Sequence, residues 1–207
     1  MNEKFFVINI GRQLGSGGKQ IGLKLAADFE INCYDKELLN RAAQESGLCM
    51  DRFEKSDEKK GLLGSFFGNL IPFVGAGDIY NNPISDEGLF RIQSQAIRHI
   101  AEEQSCIFIG RCADYILRDK QRCVNIFISA EMEDRIKRMV ELHHIDRHTA
   151  IRMLETEDEK RASYYNFYSS NTWGVASTYH LCINSSIMGI DDTTEYIKTF
   201  IRKKLNL

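Results

Sequence analysis

Residues 7–22 have the sequence VINIGRQLGSGGKQIG, which is the most informative stretch of the chain. A short apolar run comes first and is typical of a buried strand. A glycine-rich turn that ends in a basic residue follows, and apolar residues then recur at helical spacing. Glycines let a backbone approach phosphate closely, and the N-terminus of a helix carries about half a positive charge. The stretch therefore predicts a strand, a phosphate-binding loop and a helix.

The loop departs from the standard Walker A pattern, G-x-x-x-x-G-K-[ST]. One alignment pairs Gly18 and Lys19 with the glycine and lysine of that pattern, and it places Gln20 at the metal-binding hydroxyl. The other pairs Gly17 with the second glycine, which puts Arg12 at the first glycine and Gly18 at the lysine. Either Lys19 or Arg12 would then supply the missing cation. A turn that uses its glycines for packing alone is the alternative.

Composition bounds the class of protein. A chain of 207 residues with 43% hydrophobic content suits one domain with a full core. Its net charge of −2 gives no global attraction to a nucleic acid polymer or to an anionic membrane, so neither is expected as a partner. The sequence shows no transmembrane stretch and no signal peptide, and we expect a cytoplasmic protein with reduced cysteines.

Apolar runs that are typical of strands alternate with helical patterns along the chain. Strands are predicted at 5–10, 31–34, 106–109, 124–128 and 180–183. Helices are predicted at 18–29, 35–46, 87–103, 131–142, 146–158 and 191–204. Near-continuous apolar strands between helices indicate an α/β fold with a parallel sheet covered on both faces. Ligands bind such sheets beyond the carboxyl ends of the strands, which is where the glycine loop, Asp35, Gly110 and Arg111 fall.

The segment from residue 59 to residue 83 has a different texture. It is glycine-rich, it contains both prolines of the chain, and its apolar residues keep no period of 2 or 3.6. We interpret it as a mobile excursion that covers a ligand or another subunit, with a homodimer formed through residues 62–83 as one version. A surface loop packed on its own side chains is the alternative.

Several segments together carry a resemblance that no single one of them would. They are Gly15–Ile21, Tyr34–Leu39, Ile109–Leu117, Phe127–Ala130 with Arg135 and Arg138, Asp158–Tyr165, and Trp173–Gly174. In this order they resemble the cytidylate kinase-like family, within the P-loop nucleoside monophosphate kinases. The resemblance implies one P-loop kinase domain over residues 1–207, a three-layer α/β/α fold with a five-stranded parallel sheet. It also implies a monophosphate-binding excursion at 36–90 and a helical lid at 152–175.

The resemblance further implies ATP and Mg²⁺ as cofactors and assigns the residues of three subsites. ATP would bind to Gly15, Ser16, Gly17, Gly18, Lys19, Gln20, Arg135 and Arg138. The acceptor would bind to Asp35, Lys36, Arg41, Arg111 and Asp114. The lid would present Asp158, Lys160 and Arg161. The catalytic candidates are Lys19, Arg12 and Arg161, of which Arg161 would close on the γ-phosphate.

The chain also departs from the family pattern, and each departure leaves an alternative open. Lys36 stands where bacterial cytidylate kinases carry serine, the acid after Gly110-Arg111 is displaced to Asp114, and one lid arginine is replaced by Leu154. The expected reaction is phosphorylation of CMP or dCMP. A nucleotide-binding protein with altered catalysis, or a kinase of another small phosphoacceptor, is the alternative. Asp35 is also a candidate helix N-cap.

Overall fold

A computed structural model of the protein describes residues 4–45 and 86–207. Five parallel strands form one sheet, in the order β2-β3-β1-β4-β5. The strands are β1 (Val7–Arg12), β2 (Asn32–Tyr34), β3 (Cys106–Ile109), β4 (Cys123–Ser129) and β5 (Leu181–Asn184). Central strand β1 pairs Ile8 with Ile107 of β3 on one side and with Val124 of β4 on the other.

Helices cover both faces of this sheet. They are α1 (Gly18–Asp28), α2 (Lys36–Glu45), α3 (Asp86–Glu103), α4 (Ala113–Ile116), α5 (Met132–His143), α6 (Arg147–Tyr168) and α7 (Gly189–Leu205). Successive residues of β1 point to opposite faces. Val7 packs in a cluster with residues of α2, α3 and α4, and Ile8 packs in a cluster with residues of α1 and α7. The fold is therefore the three-layer α/β/α arrangement expected from the sequence.

Helix α6 corrects one boundary. The sequence pattern predicts a helix that ends at residue 158, but α6 continues to Tyr168. Its apolar residues do not keep to one stripe, because Leu154 packs against α5 while Tyr165 packs against the sheet. The predicted lid at 152–175 thus includes the second half of a continuous helix. The short α4 was not predicted.

Two expectations fall on residues that the structure does not describe. Most of the excursion at 36–90, and all of the dimer segment at 62–83, lie outside the described ranges. In the described ranges no helix is both long enough and apolar enough to cross a membrane.

The topology opens a crevice at the carboxyl ends of β1 and β3. Helix α1 follows β1 on one face of the sheet, whereas α4 follows β3 on the other face. Chains that leave adjacent strands in opposite directions create a gap in which ligands bind. Arg12 ends β1, and Gly110 and Arg111 follow β3 directly, so all three border this crevice.

Candidate active site

The loop between β1 and α1, residues 13–17, is attached to the ends of β4 and β5. The backbone N–H of Gln13 donates to the carbonyl of Ile128 at 3.1 Å, and the side-chain oxygen of Gln13 accepts from the N–H of Ala130 at 3.3 Å. Near the other end of the loop, the Ser185 hydroxyl donates to the carbonyl of Ser16 at 2.7 Å. These bonds fix the loop before any ligand arrives.

Helices α5 and α6 hold the middle of the same loop through a buried ion pair. Asp158 accepts a hydrogen bond from the N–H of Leu14 at 2.7 Å, and Arg135 donates from Nε to the carbonyl of Leu14, also at 2.7 Å. Arg135 and Asp158 also form an ion pair with each other, and Arg135 is only 5% exposed. A further arginine of α5, Arg138, donates to the carbonyl of Gly15. We call Arg135, Asp158 and Arg138 the loop clamp.

The glycines of the loop explain its backbone path. Gly15 and Gly17 have φ of 71° and 78°, a region that side chains disfavour. A Cβ atom added at Gly17 would lie 2.7 Å from Ile190 Cδ1. Helix α1 begins right after Gly17, and the first N–H groups of a helix have no carbonyl partner within it. Loop and helix start therefore fit an anion such as a nucleotide phosphate.

Three arginines from three elements meet in the crevice, and we call Arg12, Arg111 and Arg161 the crevice arginines. A Cβ atom added at Gly110 would lie 2.6 Å from Nη1 of Arg12, so the Arg12 guanidinium lies against the end of β3. Arg161 of α6 donates to the Arg12 carbonyl at 3.4 Å. Burial, followed by the positive charges of Arg161 and Arg111, lowers the pKa of Arg12 to about 9. Burial likewise lowers the pKa of Arg161.

Arg111 reaches the crevice through an unusual backbone. Gly110, Arg111 and Cys112 all have positive φ, at 76°, 59° and 55°, and such strain outside glycine is concentrated at functional sites. The Arg111 guanidinium stacks on the ring of Tyr164 at 4.5 Å. Its buried Nη1 has no hydrogen-bond partner among the residues that the structure describes. One donor of Arg111 thus remains for a ligand.

Lys19, the other candidate for the loop cation, turns toward β2. Its ammonium lies 2.8 Å from Asp35, and its side chain is 59% exposed. The hydrogen bond with Asp35 raises the pKa of Lys19. Burial acts to raise the pKa of Asp35, but bonds from Lys19 and from the N–H groups of Leu38 and Glu37 hold it below its ordinary value. Asp35 is therefore also the N-cap of α2.

The residues predicted to bind the acceptor divide into two groups. Asp35 and Arg41 border a cavity of about 400 Å³ whose lining is Lys19, Leu23, Cys33, Asp35, Glu37, Leu38, Arg41 and Ile109. Lys36, Arg111 and Asp114 do not line it. Burial and then the charge of Arg111 lower the pKa of Lys36, which places that lysine beside the crevice arginines.

Asp114 has a partner inside the protein. It accepts a hydrogen bond from the Tyr165 hydroxyl at 2.6 Å, and burial raises its pKa. Of the predicted lid residues, Asp158 belongs to the loop clamp, and Lys160 pairs with Glu157 at 2.7 Å. Arg161 alone of the three extends into the crevice. The assignment of these residues to ligands stays a prediction.

Sequence reasoning missed how the loop is anchored. The resemblance assigns Arg135 to ATP binding, which stays a prediction, and the structure shows this arginine buried in the loop clamp. Arg135 and Asp158 lie on different helices, so no local pattern pairs them. Ser185 was also not linked to the site. Near the end of α6, Tyr168 packs onto α3, where the ring of Phe90 stacks on it at 4.1 Å.

The fold of this chain is similar to that of solved kinases. Shikimate kinase from Bacteroides thetaiotaomicron has a TM-score of 0.53 at 13% identity, with 98% of this chain and 99% of that chain covered. A gluconokinase from Sinorhizobium meliloti 1021 has a TM-score of 0.52 at 8% identity, with 97% and 94% covered. The fold is thus that of the P-loop kinases.

The family follows from the sequence. Residues 7–187 match the cytidylate kinase-like family, and the chain belongs to that family. An uncharacterized protein from Eubacterium ventriosum ATCC 27560 is 29% identical, with a TM-score of 0.72 and coverage of 95% of this chain and 98% of that chain. A search of the curated proteins gave no match. Both the family and the fold class expected from the sequence are confirmed.

Proposed function

We propose that this protein is a nucleoside monophosphate kinase that transfers a phosphoryl group from ATP to CMP or dCMP. The observation that carries the proposal is the meeting of Arg12, Arg111 and Arg161 at the ends of β1 and β3. Within 4–45 and 86–207, no ion pair joins Arg12 or Arg111 to a carboxylate, and the only such partner of Arg161 is Asp158, at 3.5 Å.

Like charges held this close in a buried crevice repel one another, and after burial itself this repulsion lowers the pKa of Arg12. An anion placed among them would remove the repulsion. Phosphoryl groups suit the site, because guanidinium groups grip phosphate oxygens with two parallel hydrogen bonds. Phosphoryl transfer also asks little of the protein except alignment and positive charge around the transferred group.

The ATP phosphates would lie on the loop and on the first N–H groups of α1. When bound, ATP supplies the transferred phosphoryl group, with Mg²⁺ on its phosphates. Among the described residues no cluster of three or more His, Cys, Asp or Glu side chains is arranged to hold a metal ion. Phosphate oxygens and water would therefore supply most of the Mg²⁺ ligands.

The acceptor would occupy the cavity beside α2, with its phosphate turned toward the crevice. Arg41 and Asp35 border that cavity, and Arg111, which does not line it, offers its buried Nη1 from the end of β3. Arg161 would meet the transferred group from α6. Donor and acceptor would thus approach each other across the crevice arginines, as in-line transfer requires.

A coupled assay of ADP formation tests this function. The acceptors would be CMP, dCMP, UMP, AMP and GMP, with shikimate and gluconate included because the fold neighbours are kinases named for them. We expect the highest kcat/KM with CMP or dCMP. Faster turnover of shikimate or gluconate would contradict the nucleotide assignment and favour a kinase of another small acceptor.

A second candidate is a nucleotide-binding protein without turnover. It is favoured by one observation, namely that Lys19 is engaged with Asp35 instead of reaching over the loop. Calorimetry separates it from the kinase. Tight ATP binding without turnover of any acceptor would support the binding protein and contradict the kinase.

A further inference from the structure

We propose that Arg12 is the cation of this phosphate loop and that Gly18 is glycine because Arg12 fills the space of the missing lysine. Compared with the Walker A pattern, the positive charge stands at the end of β1 instead of in the first turn of α1. The role in binding ATP rests on the proposed function, whereas the steric half of the proposal does not.

The steric half follows from the distances around Gly18. A Cβ atom added at Gly18 would lie 2.6 Å from Cβ of Arg12 and 3.1 Å from its Cγ. Carbon atoms pack at about 3.5–4.0 Å, so a side chain at position 18 is incompatible with Arg12 as it stands. The Arg12 Cβ is fixed by strand β1 and cannot swing away. Positions 12 and 18 can therefore hold one long side chain between them.

The alignment of the loop with the Walker A pattern shows what the steric clash between positions 12 and 18 implies. When Gly17 is matched to the second glycine of the Walker A pattern, Gly18 stands at the lysine and Arg12 at the first glycine. Relative to that pattern, the glycine and the cation have exchanged places. Gly17 is the left-handed residue before α1, which is consistent with this alignment.

The guanidinium of Arg12 also lies at a position from which a cation would contact phosphates bound to the loop. It passes Gly18, lies against Gly110, and is close enough to Arg111 and Arg161 for their charges to lower its pKa. It thus lies between the phosphate loop and the acceptor side of the crevice. Lys19 is instead bound to Asp35, which follows β2.

The first experiment uses the protein without nucleotide. Gly18→Ala is combined with wild-type Arg12, with Arg12→Ala and with Arg12→Gly, and the Tm of each is compared with its own parent. We expect Gly18→Ala to lower Tm by several degrees in the wild-type and Arg12→Ala backgrounds, because residue 12 keeps its Cβ atom in both. Beside Arg12→Gly the clash is gone, and alanine in a helix should leave Tm unchanged or raise it.

Gly22→Ala is the matched control, because it makes the same change one turn later in α1. Its nearest contacts are the flexible ends of Ile109 and Ile10. The Tm shift of Gly22→Ala should therefore be the same in all three backgrounds. Equal losses from Gly18→Ala in all three backgrounds would overturn the steric half of the proposal.

The second experiment measures ATP affinity by calorimetry. Arg12→Ala should weaken ATP binding by about 10- to 100-fold, the scale of losing a hydrogen bond to a charged group. Arg12→Gly should behave alike, and adding Gly18→Lys to it should recover most of the loss. Lys19→Ala should change affinity by less than about threefold, as for an exposed ion pair.

Each outcome bears on one part of the proposal. A larger loss from Lys19→Ala than from Arg12→Ala would overturn the assignment of the cation. Failure of Gly18→Lys to recover binding would overturn the exchange of positions. If ATP binds with this pattern but no nucleoside monophosphate is turned over, the proposed function fails and the cation assignment stands. If the wild type binds no ATP, both fail.

Discussion

The two sides of the phosphate loop differ in how their charges are used. On the side of α5 and α6, Arg135 and Asp158 are paired with each other and with the backbone of Leu14. On the side of β3, Arg12 and Arg111 meet, and neither forms an ion pair with a carboxylate of the described residues. The same residue type thus occurs in two different electrostatic settings within one site.

The difference separates positioning from binding. Paired charges with all their hydrogen bonds in place fix a loop, because moving either partner leaves a buried charge alone. Unpaired charges raise the energy of the free protein and are compensated only when an anion arrives. Substitutions on the clamp side should therefore act on stability, and substitutions on the crevice side on ligands.

The largest effect is expected from Asp158→Ala. It leaves Arg135 buried without its partner and Leu14 N–H without an acceptor. Breaking such a pair costs about 3–5 kcal/mol in the free energy of unfolding, which urea denaturation measures. Arg147→Ala is the control, since Arg147 is an exposed arginine on the same helix whose ion-pair partner among the described residues is the exposed Glu133, and it should leave stability unchanged. A stable Asp158→Ala protein would show that the clamp does not hold the loop.

Arg161→Ala should affect turnover and leave stability nearly unchanged. Its guanidinium pairs with Asp158 at 3.5 Å and is also repelled by Arg12, so its loss removes one favourable and one unfavourable interaction. We expect kcat to fall by about 100- to 1,000-fold, the scale of one positioned stabiliser of the transition state. Steady-state kinetics with saturating CMP gives the number, and unchanged acceptor KM would agree with a group that meets the phosphate on closure. A normal kcat would remove Arg161 from the site.

Arg111→Ala should weaken the binding of the acceptor and leave the binding of ATP nearly unchanged. Arg111 sits at the end of β3, on the other side of the crevice from the loop. We expect the acceptor KM to rise by about 10- to 100-fold, as for a lost hydrogen bond to a charged group, while the KM for ATP stays within about twofold. Equal losses for both substrates would contradict the separation of donor and acceptor sides.

The smallest expected effect concerns Asp114 and pH. Because burial raises the pKa of Asp114, the folded protein holds this proton more tightly than the unfolded chain does. The resulting stability is complete below the unfolded value of 3.8 and is lost as pH rises through the folded value. Relative to Asp114→Asn, the wild type should lose stability as pH rises through that window. A pH-independent difference in urea unfolding would contradict the buried location of the carboxyl.

The sequence alone was sufficient to predict the features that depend on residues close together in the chain. Apolar runs gave strands within a residue or two of their observed ends, and Cys106–Ile109 was predicted without error. The glycine loop and α1 followed from residues that are adjacent in the chain. For the loop cation the sequence left both Arg12 and Lys19 as candidates, because both lie next to the loop.

The remaining features depend on packing between distant segments. Asp158 reaches Leu14 across 144 positions, and Ser185 reaches Ser16 across 169. No spacing rule predicts such pairs. The direction of Lys19 follows from the place of Asp35 after β2, and the close approach of Arg12 and Gly18 follows from how α1 sits over β1. Both become visible only when the elements are assembled.

A crystal structure with a non-hydrolysable ATP analogue and CMP would show which residues position the loop and which bind the phosphates. We expect the β- or γ-phosphate within hydrogen-bond distance of the Arg12 guanidinium, the CMP phosphate on Arg111, and Arg135 still paired with Asp158. Phosphates bound by Lys19, with Arg12 still against Gly110 and without a ligand contact, would contradict the division between a clamp that positions the loop and a crevice that binds anions.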